Sequence, residues 1–271
     1  MPSAVPFTNL HCHTIFSDGK NTPEEMVLAA IDSGMATIGF SDHSYTQEDL
    51  LYCIRPSALP GYKREVRRLK DKYAGQIEIA LGLEVDSMTV LTDRADYDYI
   101  LGDVHYVIKD GVMWHVDNSA REMRQCIDQA FDGDTLAYAK AYFDRYVDGM
   151  QRMKPDILGH FDLITKFGFM DEAAPAYRAL ALDALHASLA VTPLVEMNTG
   201  AISRGYRTLP YPADFLLHAI RDAKGEIILS SDSHAVDTQT CFFNESLDIL
   251  RAAGYDHVTV WQGGGFRQVG I

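Results

Sequence analysis

FTNLHCHT, residues 7–14, begins as an apolar run and ends on two histidines separated by one residue. The run predicts a short β-strand over 7–11, continued as far as His13. On extended backbone, residues i and i+2 point to the same side. His11 and His13 can therefore grip one cation, while Cys12 faces the other way and reads as a packing residue.

The same pattern recurs outward along the chain. A helix starts at TPEE, 22–25, and runs to about Ser33, with Thr22 as N-cap, Pro23 in the first turn and Gly34 as the stop. A second apolar run, 37–40, ends in Ser41-Asp42-His43. A helix over 57–73 precedes a third run, 77–83, which ends on Glu84. The fourth, 99–104, ends on His105, and the fifth, 157–159, on His160. After a helix around 177–189, the sixth run, 194–197, ends on Asn198. The seventh, 227–230, ends in Asp232-Ser233-His234 and is followed by a helix near 244–253. Residues 257–261 make one more candidate strand, and Asp110-Gly111 marks the tip of a small hairpin.

Short apolar runs alternating with longer amphipathic segments predict βα units. Seven or eight such units predict an α/β fold closed, or nearly closed, as a parallel barrel, with an open doubly wound sheet as the alternative. In a parallel barrel the strand ends share one rim, where active sites are built. Six of the ten histidines fall at these ends or in the first pair. His186 and His218 lie on expected helices, His115 on an expected exposed loop, and His257 has no evident role. Imidazoles and carboxylates together suit zinc, manganese or iron.

The chain has 271 residues, 47% of them hydrophobic, enough for the core of one barrel. No linker or repeat interrupts it, so a single domain over 1–271 is expected. Lys and Arg number 24 against 38 Asp and Glu, a net charge of −14. Such acidity argues against sequence-independent binding of nucleic acid or anionic membranes. The N-terminus has no signal-peptide pattern, and no apolar run is long enough to span a membrane. None of the four cysteines is at CxxC spacing, so a reducing compartment, the cytoplasm, is expected. Oligomeric state is left open.

The motifs HCHTIFSDG at 11–19, SDHS at 41–44, GLEVD at 82–86, VHY at 104–106, GHFDLI at 159–164, EMNTGA at 196–201 and SSDSH at 230–234 resemble, in order, those of the PHP (polymerase and histidinol phosphatase) superfamily. By size the chain is most similar to the free-standing histidinol-phosphate phosphatases. The resemblance implies a distorted (β/α)7 TIM-like barrel holding three divalent metal ions. It implies that His11, His13, Glu84 and Asp232 hold the first metal. Glu84 would bridge to the second, with His105 and His160, and Asp18, His43 and His234 would hold the third. Asp103 departs from the pattern, since relatives often carry a small Ser there. It reads as an extra carboxylate near the rim or a hydrogen-bonding group on the strand. Asp42 and Asp162 are candidates for orienting a ligand imidazole.

The expected chemistry is hydrolysis of a phosphate monoester by a metal-bridging hydroxide, with phosphate charge neutralised by the metals. The substrate implied by the resemblance is L-histidinol phosphate, cleaved to L-histidinol and phosphate in histidine biosynthesis. Glu84, Asp232 and His43 are the expected catalytic residues, the last two as sources of the leaving-group proton. Arg204 is the main candidate for a phosphate clamp, with Arg207, Lys166 and Asn198 behind it. An ammonium and imidazole on the substrate would be met in the insert between His105 and His160, which carries Trp114, Asp117 and Glu122. Three other readings stand beside this one. They are a phosphoesterase for another small ester such as a nucleotide or sugar phosphate, an amidohydrolase, and a non-enzymatic metal scaffold. Amidohydrolase barrels commonly bridge their metals with Lys where this pattern offers Glu84.

Overall fold

The structure is a computed structural model that describes residues 5–47 and 49–271. Among the described residues the strands are β1 (Thr8–Asn9), β2 (Thr37–Phe40), β3 (Glu78–Asp86), β4 (Tyr99–Asp103), β5 (Tyr106–Lys109), β6 (Val112–His115), β7 (Ile157–Leu158), β8 (Leu194–Asn198), β9 (Glu226–Ser230), β10 (His257–Trp261) and β11 (Phe266–Gly270). The helices are α1 (Pro23–Asp32), α2 (Leu59–Lys72), α3 (Ala120–Ala130), α4 (Thr135–Met153), α5 (Pro175–Leu189), α6 (Gly200–Ser203), α7 (Asp214–Asp222) and α8 (Phe243–Ala252).

The main sheet runs β1-β2-β3-β4-β7-β8-β9-β10-β11, parallel throughout except for β11. It curls until β9 meets β1. His13 N–H donates to Ser233 O at 2.8 Å, and Ser233 N–H donates to His11 O at 3.0 Å. One turn lower, the Asn9 side chain bonds Ser231 through both its amide nitrogen and its oxygen, standing in for ladder bonds. The result is a distorted TIM-like barrel of seven parallel strands, closed at the rim by the histidine pair, with β10 and β11 appended to β9. The open-sheet alternative is thereby excluded.

Helices cover the outside, as a sheet buried on both faces requires. Thr22 and Glu25 form a capping box at the start of α1, as the TPEE stretch predicts. The expected hairpin is β5 and β6, with Asp110 and Gly111 both at positive φ, which a two-residue turn of that hand needs. His115 ends β6, where a loop was expected. Much of the insert between the fourth and fifth runs folds into α3 and α4, and α4 packs Tyr138, Tyr142, Phe143 and Tyr146 into the core beside α5.

Inside the barrel, strand periodicity separates floor from site. Leu10, Ala80, Tyr99, Leu101, Ile157, Leu194, Ile228 and Trp261 form one buried apolar cluster. Tyr99 fills its middle, and a Cβ on Gly82 would lie 2.2 Å from the Tyr99 ring, so only glycine fits there. Two residues further along each strand the inward positions turn polar: Glu84 after Gly82, Asp103 after Leu101, Glu196 after Leu194 and Ser230 after Ile228.

Candidate metal centre

Glu84 stands at the centre, 1% exposed, with five imidazoles around its carboxylate. Its Oε1 is 3.1 Å from His160 Nε2, 3.2 Å from His11 Nε2 and 3.7 Å from His105 Nε2. Its Oε2 is 2.9 Å from His43 Nδ1 and 3.3 Å from His13 Nε2. Asp232 Oδ1 lies 3.2 Å from His13 Nε2, 3.4 Å from His234 Nδ1 and 3.7 Å from His11 Nε2. Asp18 reaches His234 Nε2 at 3.1 Å, His13 at 3.6 Å and His43 at 3.8 Å.

All the expected metal residues are therefore brought together, and all but Asp232, which stands beside His11, His13 and His234, fall into three sets. A deep set contains Glu84, Asp103, His105 and His160. A middle set contains His11, His13 and Glu84, and an outer set His13, Asp18, His43 and His234. The expected division differs in three details, because His13 also faces the outer set, Asp103 joins the deep one, and Asp232 is not part of the middle one.

These donors fit cations. His11 Nε2, both ring nitrogens of His13, Glu84 Oε2, both Asp103 oxygens, His105 Nδ1 and His160 Nδ1 are buried without hydrogen-bond partners. Buried polar atoms are normally satisfied, and a cation satisfies lone pairs that no donor reaches. Electrostatics agree. Burial pushes the Glu84 carboxyl up, but His43 and His11 outweigh it and hold the group well below the usual carboxylate range. Burial opposes charge on His43, yet Glu84 and Asp18 lift it to about 9. Burial, with His234 and His43 alongside, depresses His13 to about 3. Asp103 is pushed up to about 7 by burial and by the neighbouring Glu84. For Asp232, burial is offset by Arg204 and His11, which keep it well below normal.

One group went unassigned in the sequence reading. Glu196, fully buried on β8, accepts His11 Nδ1 at 2.5 Å, His160 N–H at 2.8 Å and Asn198 Nδ2 at 3.0 Å, and also the Ser230 hydroxyl. It turns His11 Nε2 toward Glu84. The available signal was its place two residues before Asn198, hence on the same inward side. Asp42 and Asp162 do not orient imidazoles. Asp42 instead binds the backbone and hydroxyls of Thr14 and Ser17, pinning the loop that carries Asp18. Asp162 accepts Ala213 N–H at 3.0 Å. Both carboxyls are pushed up to about 6 by burial.

Among the substrate candidates, Arg204 reaches the site. Its Nη2 is 2.7 Å from Asp232 Oδ2, and its Nη1 is 3.2 Å from His234 Nδ1. Asn198 is engaged at both ends of its amide, by Glu196 and by Gly200 N–H. Lys166 is paired with Asp117 at 3.0 Å. Arg207 is turned to Thr165 and Leu209. Glu122 sits in the first turn of α3, bonded to Asn118. Cys12 is buried in the helix-side core, as expected.

Residues 9–199 match the PHP domain family. The chain belongs to that family. This PHP chain is 28% identical over 261 residues to a protein of Deinococcus radiodurans named probable histidinol-phosphatase, covering 92% of this chain and 94% of that one. It is 25% identical over 249 residues to the histidinol-phosphatase of Bacillus subtilis, covering 83% and 92%. In fold it is similar to histidinol phosphate phosphatase from Lactococcus lactis, solved with zinc, L-histidinol and phosphate, with a TM-score of 0.72 at 19% identity over 96% of this chain and 98% of that one. The PHP match ends before β9, yet the barrel closes there and delivers Asp232 and His234 to the same centre.

Proposed function

We propose that this PHP chain is a metal-dependent phosphatase that hydrolyses L-histidinol phosphate to L-histidinol and phosphate, a step of histidine biosynthesis. The observation that carries this is Glu84 ringed by five imidazoles, with the Arg204 guanidinium at the mouth. The names of the similar proteins support the choice of ester. A carboxylate at the centre, where amidohydrolases commonly place Lys, favours phosphoester chemistry.

We assign three divalent ions, of zinc, manganese or iron, to the three sets, with Glu84 shared between deep and middle and Asp232 completing the middle one. Ions held there would supply Lewis acidity, screening phosphate charge and making bound water acidic. The chain's own residues do the rest. Glu196 holds His11 in one orientation and tautomer. Asp42 fixes the loop bearing Asp18. Arg204, paired with Asp232, offers a planar fork to phosphate oxygens. His43 and Asp232, whose side chains open to solvent by 10% and 11%, stand where they can orient a water that protonates the leaving alcohol; as ligands they are neutral and ionised respectively and relay a proton rather than store one. Asn198 supports Glu196 and the turn at Gly200, and Lys166, paired with Asp117, ranks behind Arg204 as the weaker phosphate-binding candidate. Cytoplasmic location, one catalytic domain over 1–271 and a small-molecule substrate complete the reading. No helix of the described residues is long and apolar enough to cross a membrane.

The test is phosphate release by metal-replete protein from L-histidinol phosphate and a panel of nucleotide, sugar and diester substrates. Preference for L-histidinol phosphate is expected. Preference for another monoester would replace the substrate but keep the class, and no release from any ester would sink the reading.

A further inference from the structure

The deep set holds one carboxylate beyond those the family resemblance assigns to it. We propose that Asp103 is a fourth protein ligand to a divalent cation held with Glu84, His105 and His160, an inference that rests on the metal-dependent reading of the centre. Asp103 ends β4 pointing inward, is 0% exposed, and neither of its oxygens accepts a hydrogen bond. The hydroxyls packed near it are committed elsewhere, Tyr142 to Phe161 O and Tyr146 to Gly159 O. His105 Nδ1 is 3.2 Å from Asp103 Oδ1, yet it too lacks a hydrogen-bond partner, so the two atoms sit side by side without the angle of a bond. The adjacent side chain is a second carboxylate, Glu84. An enclosed ionised carboxylate with no donor costs several kcal/mol, and a second one beside it adds repulsion.

The nearest positive partner the chain itself offers Asp103 is His105, whose Nδ1 lies 3.2 Å away without bond geometry, and an ion held by all four side chains would serve both carboxylates at once. One donor atom from each of the four residues lies within 4.8 Å of all the others. Donors about 2.0–2.2 Å from a common ion lie at most about 4.4 Å apart, so a small inward shift of these side chains brings all four onto one ion. Two carboxylates and two imidazoles suit zinc, manganese or iron. The competing occupant is a proton shared by Asp103 and Glu84.

Asp103→Asn separates the two, because Asn has the shape and hydrogen-bonding capacity of a protonated Asp but is a poor ligand. Wild type and variant are stripped of metal and reloaded with Zn²⁺ alone. Bound zinc is counted by elemental analysis, and affinities are read by chelator competition. The expected result is one zinc fewer per chain, or one held more than ~100-fold more weakly, beyond the ~10–100-fold loss typical of removing a merely orienting partner. Wild-type stoichiometry with a loss within or below that range overturns the proposal. Wild type that binds no zinc overturns the metal reading of the whole centre instead, so the two failures are distinguishable. Unfolding midpoints of the metal-free proteins check the fold, and Asn should leave that midpoint unchanged or raised because a buried charge is gone. If Asp103→Asn does not fold, Asp103→Ser is read by the same count and the same limits.

Discussion

The deep and outer halves of the centre share Glu84 as a neighbour but sit in different surroundings. Glu84, Asp103, His105 and His160 are all buried, and Glu84 and Asp103 belong to regular strands. In the outer set, Asp18 and His234 have side chains 30% and 23% exposed and stand on loops beyond β1 and β9. Ligands on strands are fixed by the barrel itself, whereas those on loops depend on local pins such as Asp42. Under the proposed metal-dependent reading, the deep half would retain an ion, and the outer half would exchange one and meet substrate.

Replacing the shared group is the most drastic way to break this contrast. Glu84→Gln should reduce turnover by at least ~10³-fold, because metal charge stabilisation is worth several kcal/mol and each ~1.4 kcal/mol is tenfold. It should lower metal content in both halves, and near-normal activity would refute the central role. Next in size is Glu196→Gln. It keeps the shape but removes the charge behind His11, and total metal affinity should fall ~10–100-fold with the fold intact by circular dichroism. Unchanged affinity would make Glu196 a structural bond only.

Arg204→Ala tests the mouth. KM for a phosphate monoester should rise roughly 10–100-fold, the worth of a charge-assisted hydrogen bond, with metal content unchanged. A KM equal to wild type would remove Arg204 from the phosphate site. The smallest effect concerns pH. In the metal-free protein His43 holds its proton up to about 9, and a ligand imidazole must be neutral. Metal must displace that proton below pH 9 and need not above it, so outer-set affinity should rise ~10-fold per pH unit from pH 7 to 8 and level off above 9. Calorimetric titration showing affinity flat over that range would contradict the assignment of His43.

Much of this was legible along the chain. The run that ends in His11 and His13, and its later echoes at Glu84, His105, His160 and Asp232, follow from a strand's period of two and from the tendency of parallel barrels to gather strand ends on one rim. The position of α1 followed from its cap and its glycine stop. Helices α3 and α4 lie in the long insert and were not assigned, although Ser119 and Asp134 cap their N-termini and are readable start signals. Glu196 stays unassigned in the sequence, and Asp103 reads there only as an extra carboxylate near the rim or a hydrogen-bonding group on the strand, for another reason. Each lies one inward step below the rim, and its role depends on which strands stand beside it.

The sequence by itself determined the donor types, their order and the barrel that carries them, since alternation and capping are local properties of the chain. Tertiary structure decided the grouping. Only closure of β9 onto β1, through backbone bonds between Ser233 and the histidine pair, brings Asp232 and His234 against residues more than two hundred positions away. Only the packed interior leaves Asp103 without a donor and Glu196 with four partners, because burial and hydrogen-bond supply are set by neighbours that are distant in the chain.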